Sequence, residues 1–173
     1  MVQNGADKAQ HHGKTPLRLS VGVLTASDTR NQQTDASGKL VREMLAAAGH
    51  QVSYYAVVPD DPQAIRKAVS EQLPKLAALI VTGGTGISAR DSTPEALAPL
   101  FDKELPGFGE LFRMLSYAEV GPAAFLSRAI AGVSGGRLLV ALPGSPRACR
   151  LALEKLVLPE LSHAAQLLEL PCR

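Results

Sequence analysis

Apolar residues fall along this chain in short unbroken runs separated by amphipathic stretches, the pattern of buried strands alternating with surface helices. The run LRLSVGVLTAS (17–27) predicts a first strand, Gln51–Val58 a second that ends at VVPDD, and Leu76–Val81 a third. Between them, residues Lys39–Ala48 have helical composition and stop at Gly49, a suitable residue just past a helix end. Pro62 opens another helix that runs to about Leu73. The polar loop DTRNQQTDASG after the first strand is long for a strand-to-helix connection, and long polar loops often carry function. This alternation predicts an α/β fold of three layers, a mostly parallel sheet with helices on both faces.

The second half is less regular. Residues Pro94–Leu100 and Phe108–Ser116 read as helices with ELPGFGE as a turn between them. LSRAIAGVSGGRLLVALPG reads as strand, Gly-Gly turn and strand, a hairpin. Residues Ser145–Leu168 read as a closing helix, interrupted or kinked at Pro159. The first sixteen residues, polar and including His11 and His12, read as a disordered tail, so one domain is expected over 17–173.

Composition narrows the functional classes. With 46% hydrophobic residues in 173, the chain can bury a sizeable core in one domain. A net charge of +2, 4% aromatics and no Trp argue against a dedicated nucleic-acid surface, while leaving small anionic ligands open. Cys149 and Cys172 are too few for a disulfide framework and read as plain thiols in a reducing cytoplasm. The opening residues lack the apolar centre of a secretory signal, and no apolar run approaches the ~20 residues needed to span a bilayer.

The chemistry gathers in TGGTGISARDSTPEA (82–96). Gly83, Gly84 and Gly86 let the backbone take positive φ and approach a ligand closely. Thr93, Pro94 and Glu95 resemble a helix start, with a hydroxyl at the cap and a carboxylate near the positive dipole end. Such a turn suits phosphate, and Asp91 beside phosphate oxygens suits Mg²⁺. Four strand ends are polar: Ser27 and Asp28 after the first, Asp60 and Asp61 after the second, the glycine turn after the third, and LPGSPR (142–147) after the last. In a parallel sheet those ends meet, which makes Asp60 and Asp91 the candidate metal-holding carboxylates. Arg30, Arg90 and Arg147 are candidates to offset phosphate charge. The structural alternatives are that Asp60 caps the following helix, that the glycine and Pro-Gly turns only turn the chain, and that the arginines are solvated. His50 and His163 lack ligand-spaced partners and read as structural or surface residues.

Gly84, Gly86 and Ala89 formally fit G-x-G-x-x-A, but this turn follows the third strand and no acidic strand end comes about 20 residues later. A dinucleotide site is therefore weakly supported, and the absence of Gly-Lys-Ser/Thr excludes the phosphate loop of nucleoside triphosphatases.

TGGTG, RDSTPEA, PGFGELFRMLS, LSRAIAG and LPGSP, in this order and spacing over about residues 17–170, resemble the MoaB/Mog family of molybdenum-cofactor biosynthesis proteins, relatives of the gephyrin G domain. SDTR with DASG in the first loop, and FRMLS, look closer to the MoaB branch. The resemblance implies a molybdopterin-binding fold assembled as trimers or as hexamers of two trimers, and contact with other proteins of the same biosynthesis. It also implies adenylyl transfer from Mg-ATP to the terminal phosphate of molybdopterin, giving adenylylated molybdopterin and pyrophosphate. Asp60 and Asp91 stand where the family's catalytic aspartates stand. At the substrate, Gly83, Gly84, Thr85 and Gly86 would cradle phosphate and Thr93 with Glu95 would shape the helix entrance; by the same resemblance Pro143, Gly144 and Ser145 would face the pterin, and Ser27, Asp28 and Arg30 would lie near the nucleotide. A non-catalytic molybdopterin carrier or scaffold would share the fold, and Ser145 and the first loop depart from the Mog pattern.

Overall fold

A computed structural model describes residues 17–170; the expected tail, with His11 and His12, and Cys172 lie outside the described residues. The first strand, β1 (Ser20–Ala26), is buried along its whole length, as a strand covered on both faces must be. It pairs in parallel with β2 (Gln51–Val58) on one side and β3 (Ala78–Thr82) on the other. Parallel β6 (Arg137–Leu142) follows β3, and antiparallel β5 (Ile130–Ser134) and β4 (Lys103–Glu104) complete the order β2-β1-β3-β6-β5-β4. Two core clusters flank this sheet. Val21, Val23, Ile80 and Val140 face α1 (Ala36–Ala47), α4 (Pro106–Val120) and α6 (Leu158–Leu167), through Leu45, Phe112 and Leu161. Leu24, Leu79, Val81 and Leu139 alternate to the other side and meet α2 (Pro62–Gln72) and α3 (Thr93–Leu97) through Ile65, Val69 and Leu97. The expected three-layer α/β fold is the observed one.

Register fixes where a ligand can sit. Thr25 lies beside Thr82, Thr82 beside Leu142, and Ala26 beside Val58, so four loops leave the same edge of the sheet. The chain runs outward from β1 to β2 and then crosses to β3 on the other side of β1. The space between β1 and β3 is thus the switch point where open α/β sheets bind ligands.

Several elements differ from the sequence reading. α1 begins three residues before Lys39, because the Asp35 side chain accepts the Gly38 N–H and caps it. ELPGFGE is not a turn: Pro106 takes the first position of α4, and Phe108 stacks with Phe112, ring centroids 6.3 Å apart, drawing that turn onto the core. β4 is a two-residue strand paired with Gly132 and Val133, too short to leave a pattern. At the end of the chain, α5 (Pro146–Ala152) passes through a wide π turn at Leu153–Val157 into α6. Pro159 sits in the first turn of α6, so the expected interruption is that wide turn, which accommodates the missing N–H. The β5–β6 hairpin turns on Gly135 and Gly136, both at positive φ as a two-residue turn requires. Among the described residues, no helix is long and apolar enough to cross a membrane.

Candidate active site

The loop after β1 is organised by a buried carboxylate. Asp35, 4% exposed, accepts from Thr25 Oγ1 at 2.6 Å, Tyr55 Oη at 2.9 Å and the Gly38 N–H at 2.8 Å. Burial pushes the Tyr55 hydroxyl up to about 12, the Asp35 hydrogen bond and charge add to this, and the Arg42 guanidinium, 4.0 Å from the ring centroid, opposes it. Ser27 Oγ accepts the Thr29 and Arg30 N–H groups, which curls the start of the loop. Ser37 Oγ donates to Gly144 O at 2.7 Å, joining α1 to the LPGSPR loop. The Cys149 thiol also holds that loop, donating to Pro143 O at 3.1 Å. Burial, then the charge of Asp35, pushes this thiol up to about 12, so it stays protonated as a plain thiol.

After β2 the two neighbouring aspartates divide the work. Asp61 caps α2, accepting the Ala64 N–H at 2.8 Å, so the capping alternative for Asp60 falls away. Asp60 instead lies beside the glycine turn: its N–H donates to Asp28 Oδ1 at 3.0 Å and its Oδ1 accepts from Ser92 Oγ at 3.2 Å. Burial holds its carboxyl above the usual range, Ser92 hydrogen bonds oppose this, and the charges of Asp91 and Asp28 add to it.

The glycine turn needs its glycines. Gly83 at φ +93° lies so close to Ala26 O that a Cβ would collide with it, and a Cβ on Gly84, φ +61°, would sit 2.5 Å from both Asp60 Oδ1 and Thr93 Oγ1. The Gly83 N–H is committed to Leu142 O at 3.0 Å. Thr93, fully buried, does not cap α3: its hydroxyl donates to Gly83 O at 2.8 Å and its N–H to Gly84 O at 3.0 Å, stapling the turn shut. Thr85 is likewise buried. Asp91 Oδ2 accepts the Ser88 N–H at 2.7 Å. Glu95 pairs with Arg128; partial burial pushes its carboxyl up, but that hydrogen bond and charge outweigh it and hold it below the usual range.

These loops enclose a cleft of about 270 Å³. Ser27, Asp28, Asp60, Gly83, Gly84 and Asp91 line it. Arg30, Arg90 and Gly144 border the same space, as does the cap Asp35. Asp35 was not foreseen as a lining residue, although DASG in the first loop carried the signal. Pro143 and Ser145 face a different, more apolar pocket of about 220 Å³, beside Phe112 and Val120. Arg147 is there too, paired with Glu119 Oε2 at 2.7 Å. Gly86 lies against the Asp91 carboxylate, and Glu95 borders a separate depression that Ser88, Asp91 and Arg128 also line.

Asp28, Asp60 and Asp91 bring three carboxylates to one cleft, and among the described residues none of them is ion-paired with a basic side chain. This donor set suits a hard divalent cation that takes oxygen ligands. Among the described residues, no group of three His, Cys, Asp or Glu is placed to hold a metal ion unaided. A hard cation held here would need further oxygens, from water or from a ligand, to complete its coordination.

A family model described as a probable molybdopterin binding domain matches residues 22–163. The chain belongs to that molybdopterin-binding family. Molybdenum cofactor biosynthesis protein B of Bacillus cereus is 47% identical over 157 residues, 89% of this chain and 93% of the relative. A crystal structure of a molybdenum cofactor biosynthesis protein B superposes with a TM-score of 0.86 at 46% identity, covering 90% of this chain and 99% of that one. The tungsten cofactor synthesizing protein MoaB of Pyrococcus furiosus superposes with a TM-score of 0.79 at 39% identity, covering 88% and 98%. Family membership therefore rests on nearly the whole domain.

Proposed function

We propose that this protein serves molybdenum-cofactor biosynthesis as a molybdopterin adenylyltransferase. The observation that carries the proposal is the gathering of Asp28, Asp60 and Asp91, which have no ion pair with a basic side chain among the described residues, in a cleft bordered by Arg30, Arg90 and the bare backbone of Gly84. A phosphate monoester has a second pKa near ~6, so the terminal phosphate of molybdopterin is largely dianionic at neutral pH and needs no histidine base. One of its oxygens would form a bond to the α-phosphorus of ATP. The bond from that phosphorus to the bridging oxygen breaks, and pyrophosphate leaves with the electron pair. The difficulty is the approach of two anions, so positioning and charge neutralisation supply the catalysis. Mg²⁺, when bound, would neutralise phosphate charge. Asp60 and Asp91 would hold it, with Asp28 fixing the Asp60 backbone, and Arg30 and Arg90 would receive phosphate oxygens. With the Gly83 N–H already committed, close approach to phosphate falls to Gly84 and the residues after it. Ser27 would lie toward the nucleotide and Gly144 toward the pterin, while Thr85 and Thr93, both buried, would hold the turn rather than touch substrate.

Assembly with further copies of the chain is part of the proposal. Leu111, Met114 and Tyr117 are 47%, 61% and 62% exposed along α4, and Phe125 just beyond is 76% exposed, an apolar surface that a trimer or hexamer would cover.

The test is Asp91→Ala, assayed for turnover and for molybdopterin binding. Turnover is expected to be lost and pterin binding retained. Unchanged turnover would remove Asp91 from the chemistry, whereas pterin binding without turnover in the unmodified protein would make this a carrier or scaffold.

A further inference from the structure

Arg128 does not line the cleft, yet it makes four hydrogen bonds, three to the glycine loop and one to α3 behind it. It enters just before β5, where its own N–H donates to Thr85 O at 2.9 Å. Its side chain then spreads over the loop: Nε donates to Gly86 O at 2.7 Å, Nη2 to Asp91 O at 2.7 Å, and Nη1 to the Glu95 carboxylate. These acceptors are the start of the 86–91 loop, its end, and the helix behind it. The Glu95 pair is largely solvated and worth little alone; the two short bonds to backbone carbonyls fix the loop. A planar guanidinium can span both carbonyls, which the point charge of lysine cannot.

The consequence reaches the carboxylate. Asp91 and Ser88 exchange two bonds, Asp91 N–H to Ser88 O at 2.9 Å and Ser88 N–H to Asp91 Oδ2 at 2.7 Å, so the Asp91 side chain is oriented by the loop that Arg128 clamps. Arg128 bonds the Asp91 backbone carbonyl and leaves the carboxylate out of ion pairing. The geometry points to Arg128 as a positioning residue, which holds the Asp91 carboxylate at its metal-facing angle without touching substrate. The metal-facing part of this role rests on the adenylyltransferase reading; the clamp itself does not.

The experiment is site-resolved amide hydrogen exchange on the full chain, comparing the unmodified protein with Arg128→Ala and Arg128→Lys. Exchange at Ser88 and Asp91 is expected to rise at least about tenfold in both variants, while Val23 and Val140 in the central strands keep their protection. Added guanidinium ion is expected to restore part of the protection in Arg128→Ala. Unchanged exchange at Ser88 and Asp91, or an equal rise throughout the sheet, would overturn the proposal. Arg128→Lys keeps the charge and serves if the alanine variant does not fold. With molybdopterin and ATP present, half-maximal turnover in Arg128→Lys is expected to need roughly tenfold more Mg²⁺ at an unchanged KM for pterin, an effect that general destabilisation would not give. An unchanged Mg²⁺ requirement beside altered exchange would overturn the positioning role. Absence of turnover in the unmodified protein would instead sink the adenylyltransferase reading, and the exchange data would still decide whether Arg128 clamps the loop.

Discussion

Replacing Gly84 with alanine tests the construction of the cleft at its tightest point. Two costs arise. Alanine held at φ +61° loses about 1–2 kcal/mol to the left-handed conformation. The added methyl also falls 2.5 Å from Thr93 Oγ1 and 2.5 Å from Asp60 Oδ1, so at least one of them must move. Thr93 is fully buried and its hydroxyl bonds Gly83 O, so moving it forfeits about 1–3 kcal/mol. The expected loss is about 2–5 kcal/mol, which for a domain of this size lowers Tm by about 4–20 °C. Where Asp60 yields instead, a shift of about 1 Å costs turnover about 10²-fold. Gly49→Ala is the control: its φ is +88° and nothing lies within 4 Å of the added methyl, so it carries the backbone strain of about 1–2 kcal/mol without the collision. Thermal denaturation and turnover of both variants decide the matter. If Gly84→Ala matched Gly49→Ala in both, the claim that this backbone is pressed between Asp60 and Thr93 would be refuted.

Asp60→Asn should lower turnover about 10²-fold or more while leaving Tm at or above that of the unmodified protein, because burial and neighbouring carboxylates disfavour the charge that asparagine removes. A variant both inactive and markedly less stable would mean that Asp60 is structural. His50 gives a pH signature. It is 7% exposed, its Nδ1 has no hydrogen-bond partner among the described residues, and burial lowers its pKa against an opposing bond to the Leu17 backbone. The folded state resists a proton that the unfolded chain accepts, so stability from this group is present above about pH 6.5 and is lost as pH falls through the window down to the lowered folded value. Chemical denaturation at pH 7.5 and 5.5 should show a smaller acid loss in His50→Leu than in the unmodified protein; equal losses would exonerate His50.

The parts of this account legible in sequence are those that depend on local pattern. Runs such as ALIV and LLVA announce strands covered on both faces, and polar residues just past their ends mark the edge where the cleft opens. Asp60 and Asp91 follow from that logic because parallel strands bring their ends together. What stayed hidden depends on contacts between distant segments. Arg128 sits 37 residues from Asp91 and 42 from Gly86, and nothing in LSRAIAG shows which carbonyls its guanidinium will meet. Asp35 looked like one more polar residue in a long loop, and only Thr25 and Tyr55 reveal it as a buried hub. The LPGSPR loop straddles two pockets, so Gly144 borders the cleft while its neighbours Pro143 and Ser145 face away from it. Thr93, which has the position of a capping hydroxyl, is diverted to Gly83 O by the closure of the turn.

The most direct measurement of the central claim is to incubate the purified protein with molybdopterin and Mg-ATP and quantify both products in one reaction. Pyrophosphate and adenylylated molybdopterin are expected in equal amounts, both lost in Asp91→Ala or when Mg²⁺ is withheld. Molybdopterin recovered unmodified, with no pyrophosphate formed while the pterin stays bound, would contradict that claim.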